Sequence, residues 1–230
     1  MPHRVRVWDL PTRLFHWLLV ACVVLLAVTG YVGGDAMPWH ARFGYAVLTL
    51  LLFRIVWGFI GGRWSRFRSF LYAPSSVAAY VGGRAHPDHL VGHSPLGAGA
   101  VFAMLAVLLA QVSTGLFADD EIAFTGPLNR FVKTSTGLAA TWYHKAVGQW
   151  LLLALVVLHI AAVVFYLAKK RENLVRPMLV GDKDLAAPAT PSRDDAASRA
   201  VALVVLAACA ALVAWIASLG AGSGGAGGFN

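Results

Sequence analysis

Four histidines carry the chemistry open to this sequence: His16, His40, His144 and His159. Each lies in, or at the edge of, a long apolar run. The stretch from Trp142 to Leu174 shows how unusual that is. Between Lys145 and Lys169 it has no charged residue, yet His144 stands at its start and His159 in its middle. An imidazole offers one nitrogen to a metal and a second that can be held by a hydrogen bond. Ionisable groups at membrane depth are costly and mark functional sites, so the four read as ligands. The alternative is that they sit in helix interfaces and bond to neighbouring helices.

Spacing sorts the four by depth. His144 and His159 are 15 positions apart, which is about 22 Å of rise and about 60° of rotation on a helix. His40 opens another apolar run at the level of His144, and His16 enters the first run at the level of His159. Each level therefore has two imidazoles on different helices, able to face one another. No Cys, Asp or Glu lies at either level, which argues against zinc and its four ligands. Two axial nitrogens across a gap suit haem iron, whose porphyrin brings the other four donors. Cys22 and Cys209 fall inside apolar runs with no paired spacing, so no disulfide framework is expected.

A repeat surrounds the histidines. "HARFG" opens the second run and "HKAVG" the fourth, so His40 and His144 are followed four residues later by Gly44 and Gly148. Positions i and i+4 share a helix face, and a glycine there leaves clearance for a flat macrocycle. Small-residue helix contacts explain a lone glycine better, and the repeated His offset is what favours the macrocycle. The first run ends in "VTGY" and the third in "STGLF", which suggests two related helical hairpins. Arg54 is 14 positions beyond His40, about 21 Å deeper and level with the other pair. A haem propionate would answer its charge, or its guanidinium snorkels to headgroups.

These residues need helices that cross a bilayer. Of 230 residues, 58% are hydrophobic and 13% charged, a balance outside the range of soluble domains. Five apolar runs reach the required length of about 20 residues: 14–33, 41–62, 96–118, 144–168 and 200–219. The net charge of +8 clusters beside these runs, which fits membrane topology and excludes nucleic acid as the partner. Arg4, Arg6, Arg13, Arg63, Arg66, Arg68 and Lys169 to Arg171 gather on one side. The other side has Arg42, Arg130 and Lys133 with Asp119, Asp120 and Glu121. The positive-inside rule then puts the N-terminus in the cytoplasm.

The chain divides into a four-helix part, 1–181, a cytoplasmic linker, 182–198, and a fifth helix with a Gly-rich tail, 199–230. The linker is rich in Pro, Ala and charge and reads as flexible. His86, His89 and His93 lie in a cytoplasmic loop broken by Pro87, with Asp88 as the one carboxylate nearby, and read as solvated rather than as metal ligands. The outer loop near 119–143 is long for a helix connection. Its acids either receive a basic electron donor or belong to a loop that caps the site. Asp9, Thr12, Arg13 and Trp17 border His16 and could hold a quinone, although Asp9 before Pro11 also fits a helix cap.

"VWDLPTRLFHWLL", "HARFGYAVLTLLLFRIVWGFIGGRW", "GHSPLGAGAVFAMLAVLLAQVSTGLF" and "WYHKAVGQWLLLALVVLHIAAVVFY" resemble the bacterial cytochrome b561 family, which includes the cytochrome b subunits of nickel–iron hydrogenases. The resemblance runs from about residue 7 to 181. It implies an all-α membrane protein, a four-helix transmembrane haem-binding bundle, here followed by a fifth, C-terminal helix. It also implies two b haems ligated by His16, His40, His144 and His159. The expected function is electron transfer in the bacterial inner membrane, between a periplasmic donor and quinone. The donor would be a c-type cytochrome or a hydrogenase-like protein. A stand-alone quinone reductase oxidising a small donor such as superoxide is the alternative, and a histidine-lined metal transporter is the rival from another class. A homodimer is compatible with either.

Overall fold

Asp9 sets the start of the first long helix. Its Oδ1 accepts from the backbone N–H of Thr12 at 2.8 Å, the arrangement of an N-cap, and Pro11 is tolerated in a first turn where no partner awaits its nitrogen. The computed structural model describes residues 3–84, 86–122 and 124–221. Its helices are α1 Leu10–Val32, α2 Met37–Ile60, α3 Pro74–Val81, α4 Pro95–Phe117, α5 Thr134–Trp142, α6 Gln149–Phe165, α7 Val175–Val180 and α8 Ala196–Ala221. A π-helical turn, Tyr143–Gly148, joins α5 to α6.

Among the described residues, five segments are long and apolar enough to cross a membrane: Leu10–Val32, Gly34–Ile60, Pro95–Phe117, Thr134–Lys170 and Ala196–Gly220. The chain is a multi-pass membrane protein of helices, and Leu14, Val24, Leu158, Val164 and Leu203 expose their side chains as lipid-facing residues do. The fourth segment begins ten residues before the expected start at 144. The reason is α5, whose sequence TSTGLAATW is too polar to register as part of a span. About a third of the long outer loop, 134–142, is therefore α-helix.

The described chain forms two units, each with its own packing. One comprises Met1–Trp17, Phe53–Met104 and Ala154–Val205. Here two short strands depart from an all-helical plan: β1 His3–Arg6 pairs antiparallel with β2 Asp182–Leu185, setting Arg6 opposite Asp182 and Arg4 opposite Asp184. Val5, Val7, Trp8, Trp64, Val91 and Leu185 form the core beneath. The segment 182–198 is not loose. Ser192 Oγ donates to Val7 O at 2.7 Å and accepts from Trp64 N at 3.2 Å, while Arg6 pairs with Asp194 at 2.7 Å. These partners lie far away in the chain, where local composition cannot reveal them.

The other unit comprises Leu18–Leu52, Leu105–Leu153 and Leu206–Asn230. Val47, Leu48 and Leu51 of α2 meet Leu108, Val112 and Leu116 of α4 and Val213 of α8. The i, i+4 spacing on α4 puts its three residues on one face. Helix ends are closed by side chains: Asn129 Nδ2 donates to Phe117 O at 2.8 Å and Arg130 Nη1 to Leu219 O at 3.2 Å. Both bond carbonyls that a helix C-terminus leaves without partners.

Candidate functional site

His40 lies in the first turn of α2 and His144 in the π-helical turn before α6. A π turn bonds i to i+5 and is frequent at functional sites, because it re-aims the side chains it carries. The two rings face each other with centroids 6.1 Å apart. His40 Nδ1 lies 3.0 Å from Leu26 O, and His144 Nδ1 lies 2.8 Å from Gln111 O. A carbonyl only accepts, so each Nδ1 carries the hydrogen and donates it. Each Nε2 is then left with its lone pair, the arrangement that metal-ligating histidines use.

The two cradles are built alike. Thr29 follows Leu26 by three residues and Gly30 by four; Thr114 and Gly115 follow Gln111 by the same steps. Thr29 Oγ1 and Thr114 Oγ1 each stand 3.4 Å from the Nδ1 of their histidine. A Cβ on Gly30 would come 3.1 Å from His40 Cε1, and one on Gly115 would come 3.2 Å from His144 Cε1. Helical side chains lean toward the N-terminus, so a residue at i+4 would flank the very carbonyl the imidazole must reach. The repeat in "VTGY" and "STGLF" is therefore the floor of two histidine sites. That task could have been read from the sequence, since each Thr-Gly pair lies on the helix before its histidine.

His16 of α1 and His159 of α6 form the second pair, with centroids 6.4 Å apart. Trp17 packs edge-on against His16 at 5.0 Å. His16 Nδ1 is buried and has no hydrogen-bond partner, unlike its counterparts in the first pair.

Arg54 belongs to the same unit as this pair and is 3% exposed. Its guanidinium lies over the Phe67 ring at 4.8 Å, and its Nη1 is buried without a partner. Asp9 is close enough to act on it electrostatically, but that carboxylate is already engaged. Besides the Thr12 N–H it accepts from Trp57 Nε1 at 3.2 Å, Gly62 N at 2.9 Å and Ser65 Oγ at 2.9 Å. Thr12 Oγ1 in turn donates to Ser65 Oγ. Asp9 and Thr12 thus bond within the protein, and Trp17 Nε1 donates to Met178 O.

His93 packs against aromatic side chains. Its ring lies 4.4 Å from Phe70 and 4.7 Å from Trp8, and its Nδ1 is buried without a partner. Burial, and then the charge of Arg54, push its imidazole down to about 3. His89 is 9% exposed and meets the Tyr72 ring edge-on. Only His86 stays at the surface, its side chain 66% exposed. The expectation of three solvated loop histidines thus fails for two, because the turn Pro87–Leu90 folds the segment back onto the protein.

Gly44 and Gly148 part ways. Beside Gly44 a Cβ would meet nothing within 4 Å, whereas on Gly148 it would strike Gln111 Oε1. The first leaves open space; the second is a close contact between α4 and the π turn. Gln111 uses that contact to donate its Nε2–H to His144 O at 3.0 Å.

Both pairs have the spacing one metal atom requires. With about 2.0–2.1 Å from metal to each nitrogen, and about 1.1 Å more to each ring centre, centroids fall about 6.3 Å apart. The observed 6.1 and 6.4 Å bracket that value. Among the described residues no group of three or more His, Cys, Asp or Glu could complete a metal shell. A group held between either pair must bring its remaining donors itself, as a porphyrin does.

A family model described as prokaryotic cytochrome b561 matches residues 7–181, which include all four histidines. The chain is 25% identical over 215 residues to a probable Ni/Fe-hydrogenase B-type cytochrome subunit of Bradyrhizobium diazoefficiens, covering 78% of this chain and 85% of the relative. A probable Ni/Fe-hydrogenase 1 B-type cytochrome subunit of Escherichia coli strain K12 is 27% identical over 187 residues, 67% of this chain and 80% of the relative. A third, from Azotobacter vinelandii, is 26% identical over 212 residues, 77% and 87% respectively. No solved structure matches the chain significantly.

Proposed function

Because the chain belongs to the prokaryotic cytochrome b561 family, we propose that it carries electrons in a bacterial inner membrane through two b haems, one between His40 and His144, the other between His16 and His159. The observation that supports this reading best is the facing of two imidazoles at 6.1 and again at 6.4 Å. A haem held by these histidines would supply one-electron redox chemistry and so pass electrons.

The protein's own residues hold and orient. Leu26 and Gln111 fix the tautomers of His40 and His144 through their carbonyls, and Gly30 and Gly115 keep the rings free to approach. Arg54, buried and short of a partner, supplies positive charge for a haem propionate in the unit of His16 and His159. Gly44 leaves room beside a macrocycle.

The N-terminus lies on the cytoplasmic side in this reading, with the His40 and His144 pair toward the periplasm. Electrons enter there from a periplasmic protein and leave to membrane quinone. The relatives named as hydrogenase B-type cytochrome subunits favour a hydrogenase-like donor over a c-type cytochrome.

Extraction of haem from purified protein, with reduced-minus-oxidised spectra, tests the reading. Two haems per chain are expected, and one each in His159→Ala and His40→Ala, with His86→Ala unchanged at two. A protein without haem overturns the proposal in favour of a metal transporter. Two haems in His159→Ala overturn the pairing.

A further inference from the structure

Charge on the N-terminal side of the protein is unevenly answered. Arg4, Arg6, Arg176, Lys183, Arg193 and Arg199 all pair with Asp182, Asp194, Asp184, Glu172 or Asp195. Among the described residues no carboxylate pairs with Arg63, Arg66 or Arg68. These three line one cavity of about 390 Å³, together with Ser69, Tyr72 and His86. Asp88 also lines it, but leans toward His86, 3.7 Å from its Nδ1.

The three guanidiniums crowd one another. Burial, then Arg68 and Arg63, hold Arg66 below its ordinary value, and Arg66 Nε is buried with no acceptor. Three guanidiniums against the single carboxylate of Asp88 are unfavourable unless a further anion joins them. Guanidinium forks match phosphate oxygens two at a time, which favours phosphate as that anion.

Position narrows the class further. Arg63 follows the last residue of α2, a helix able to span a bilayer, by three positions, which sets the cavity at headgroup depth. Leu71, next in the chain to the lining residue Tyr72, is 73% exposed, and Val81 of α3 is 67% exposed, so the unit that holds the cavity also presents apolar side chains at its surface. The cavity exceeds what one phosphate ion fills, and its size is that of small-ligand sites.

We propose that the cavity lined by Arg63, Arg66 and Arg68 binds the phosphate of an anionic phospholipid headgroup. Leu71 and Val81 lie along the acyl chains, and the bound lipid supplies the negative charge that the protein lacks there. Basic pockets at the cytoplasmic ends of membrane helices recognise anionic headgroups by the same physics.

The test uses the full chain, purified in detergent and stripped of lipid, with retained phospholipid counted by native mass spectrometry. The probes are mixed micelles of phosphatidylglycerol, mixed micelles of phosphatidylcholine, and inorganic phosphate alone. Wild type should prefer phosphatidylglycerol at least tenfold. The triple variant Arg63→Gln, Arg66→Gln, Arg68→Gln should lose about a hundredfold, at about fivefold per guanidinium. Arg66→Lys, which keeps charge but not the fork, should fall between. A charge-matched control, Arg84→Gln, Arg176→Gln, Arg193→Gln, should bind as wild type, and an unchanged visible spectrum shows that each variant folds. Phosphate binding at least a hundredfold weaker than phosphatidylglycerol supports the lipid as source; phosphate binding as tightly overturns it in favour of a soluble phosphate compound. Equal binding of the two lipids, or an undiminished triple variant, overturns the site itself.

Discussion

Gly115 faces the edge of His144 so closely that a methyl group there would come 3.2 Å from Cε1, and Gly30 stands in the same relation to His40 at 3.1 Å. The two contacts come from different helices and share one construction: carbonyl, threonine, glycine, then an imidazole from the next long helix. Gly115→Ala asks the ring to yield by a few tenths of an ångström and stretches the bond to Gln111 O. Changes beside a metal-bound histidine cost about 10–100-fold in affinity, so Gly115→Ala should retain haem with about tenfold weaker binding. Gly115→Val should lose one of two haems, read by extraction, and should leave the haem of His16 and His159 in place.

Arg54→Leu removes a buried cation from the unit that contains the second histidine pair. A positive charge favours the reduced, more negative form of a nearby redox group. Its loss should lower one midpoint potential and leave the other unmoved, about 59 mV for each tenfold change in relative stability. Potentiometric titration in the visible region reads both. Two unmoved potentials would detach Arg54 from the cofactor.

The acids of the outer loop already have work within it. Asp119 Oδ1 accepts from Glu121 N at 2.9 Å, and Asp120 Oδ1 accepts from Phe124 N at 2.8 Å. Asp119→Asn, Asp120→Asn and Glu121→Gln together keep an oxygen for each turn while removing three charges. Reduction by a basic donor protein should slow severalfold at low salt and converge on wild type as salt screens the encounter. A rate equal to wild type at every salt concentration argues for a loop that only closes the site.

His93 makes stability depend on pH. Its imidazole titrates at about 3 when folded and at about 6.5 in an unfolded chain. Between those values the unfolded form binds a proton and the folded form does not. Stability from this residue is full above about 6.5 and is lost as pH falls toward 3, by up to about 1.4 kcal/mol per unit. His93→Gln should flatten that slope between pH 6.5 and 4.5 in thermal unfolding of the detergent-solubilised protein. An unaltered slope would put the acid sensitivity in other groups.

The pairings of His40 with His144 and of His16 with His159 were legible because depth along a helix follows directly from residue counts. The five spans were legible because lipid demands length and apolarity together. What stayed hidden depends on partners remote in the chain. Asp182 and Asp184 look like linker charges until Arg6 and Arg4 stand opposite them. His93 looks solvated until Trp8 and Phe70 close on it. Asp9 reads as a cap ahead of a quinone contact, and its bonds to Trp57 and Ser65 come from residues remote in the chain. The helix α5 escaped notice because its residues are polar, and its continuation into α6 runs through a π turn that hydropathy does not register.

The strand pair sets an order of events during synthesis. β1 leaves the ribosome ahead of all five spans, yet its partner β2 follows only after four of them have been made. At about 5–20 residues per second, His3 to Arg6 wait roughly 9–35 s for Asp182 to Leu185. Throughout that interval Arg4 and Arg6 stand without the carboxylates of β2, while the first span takes its direction in the membrane. Their carboxylate partners arrive after that choice has been made, so the ion pairs that later neutralise Arg4 and Arg6 cannot lessen the positive charge these residues present during insertion.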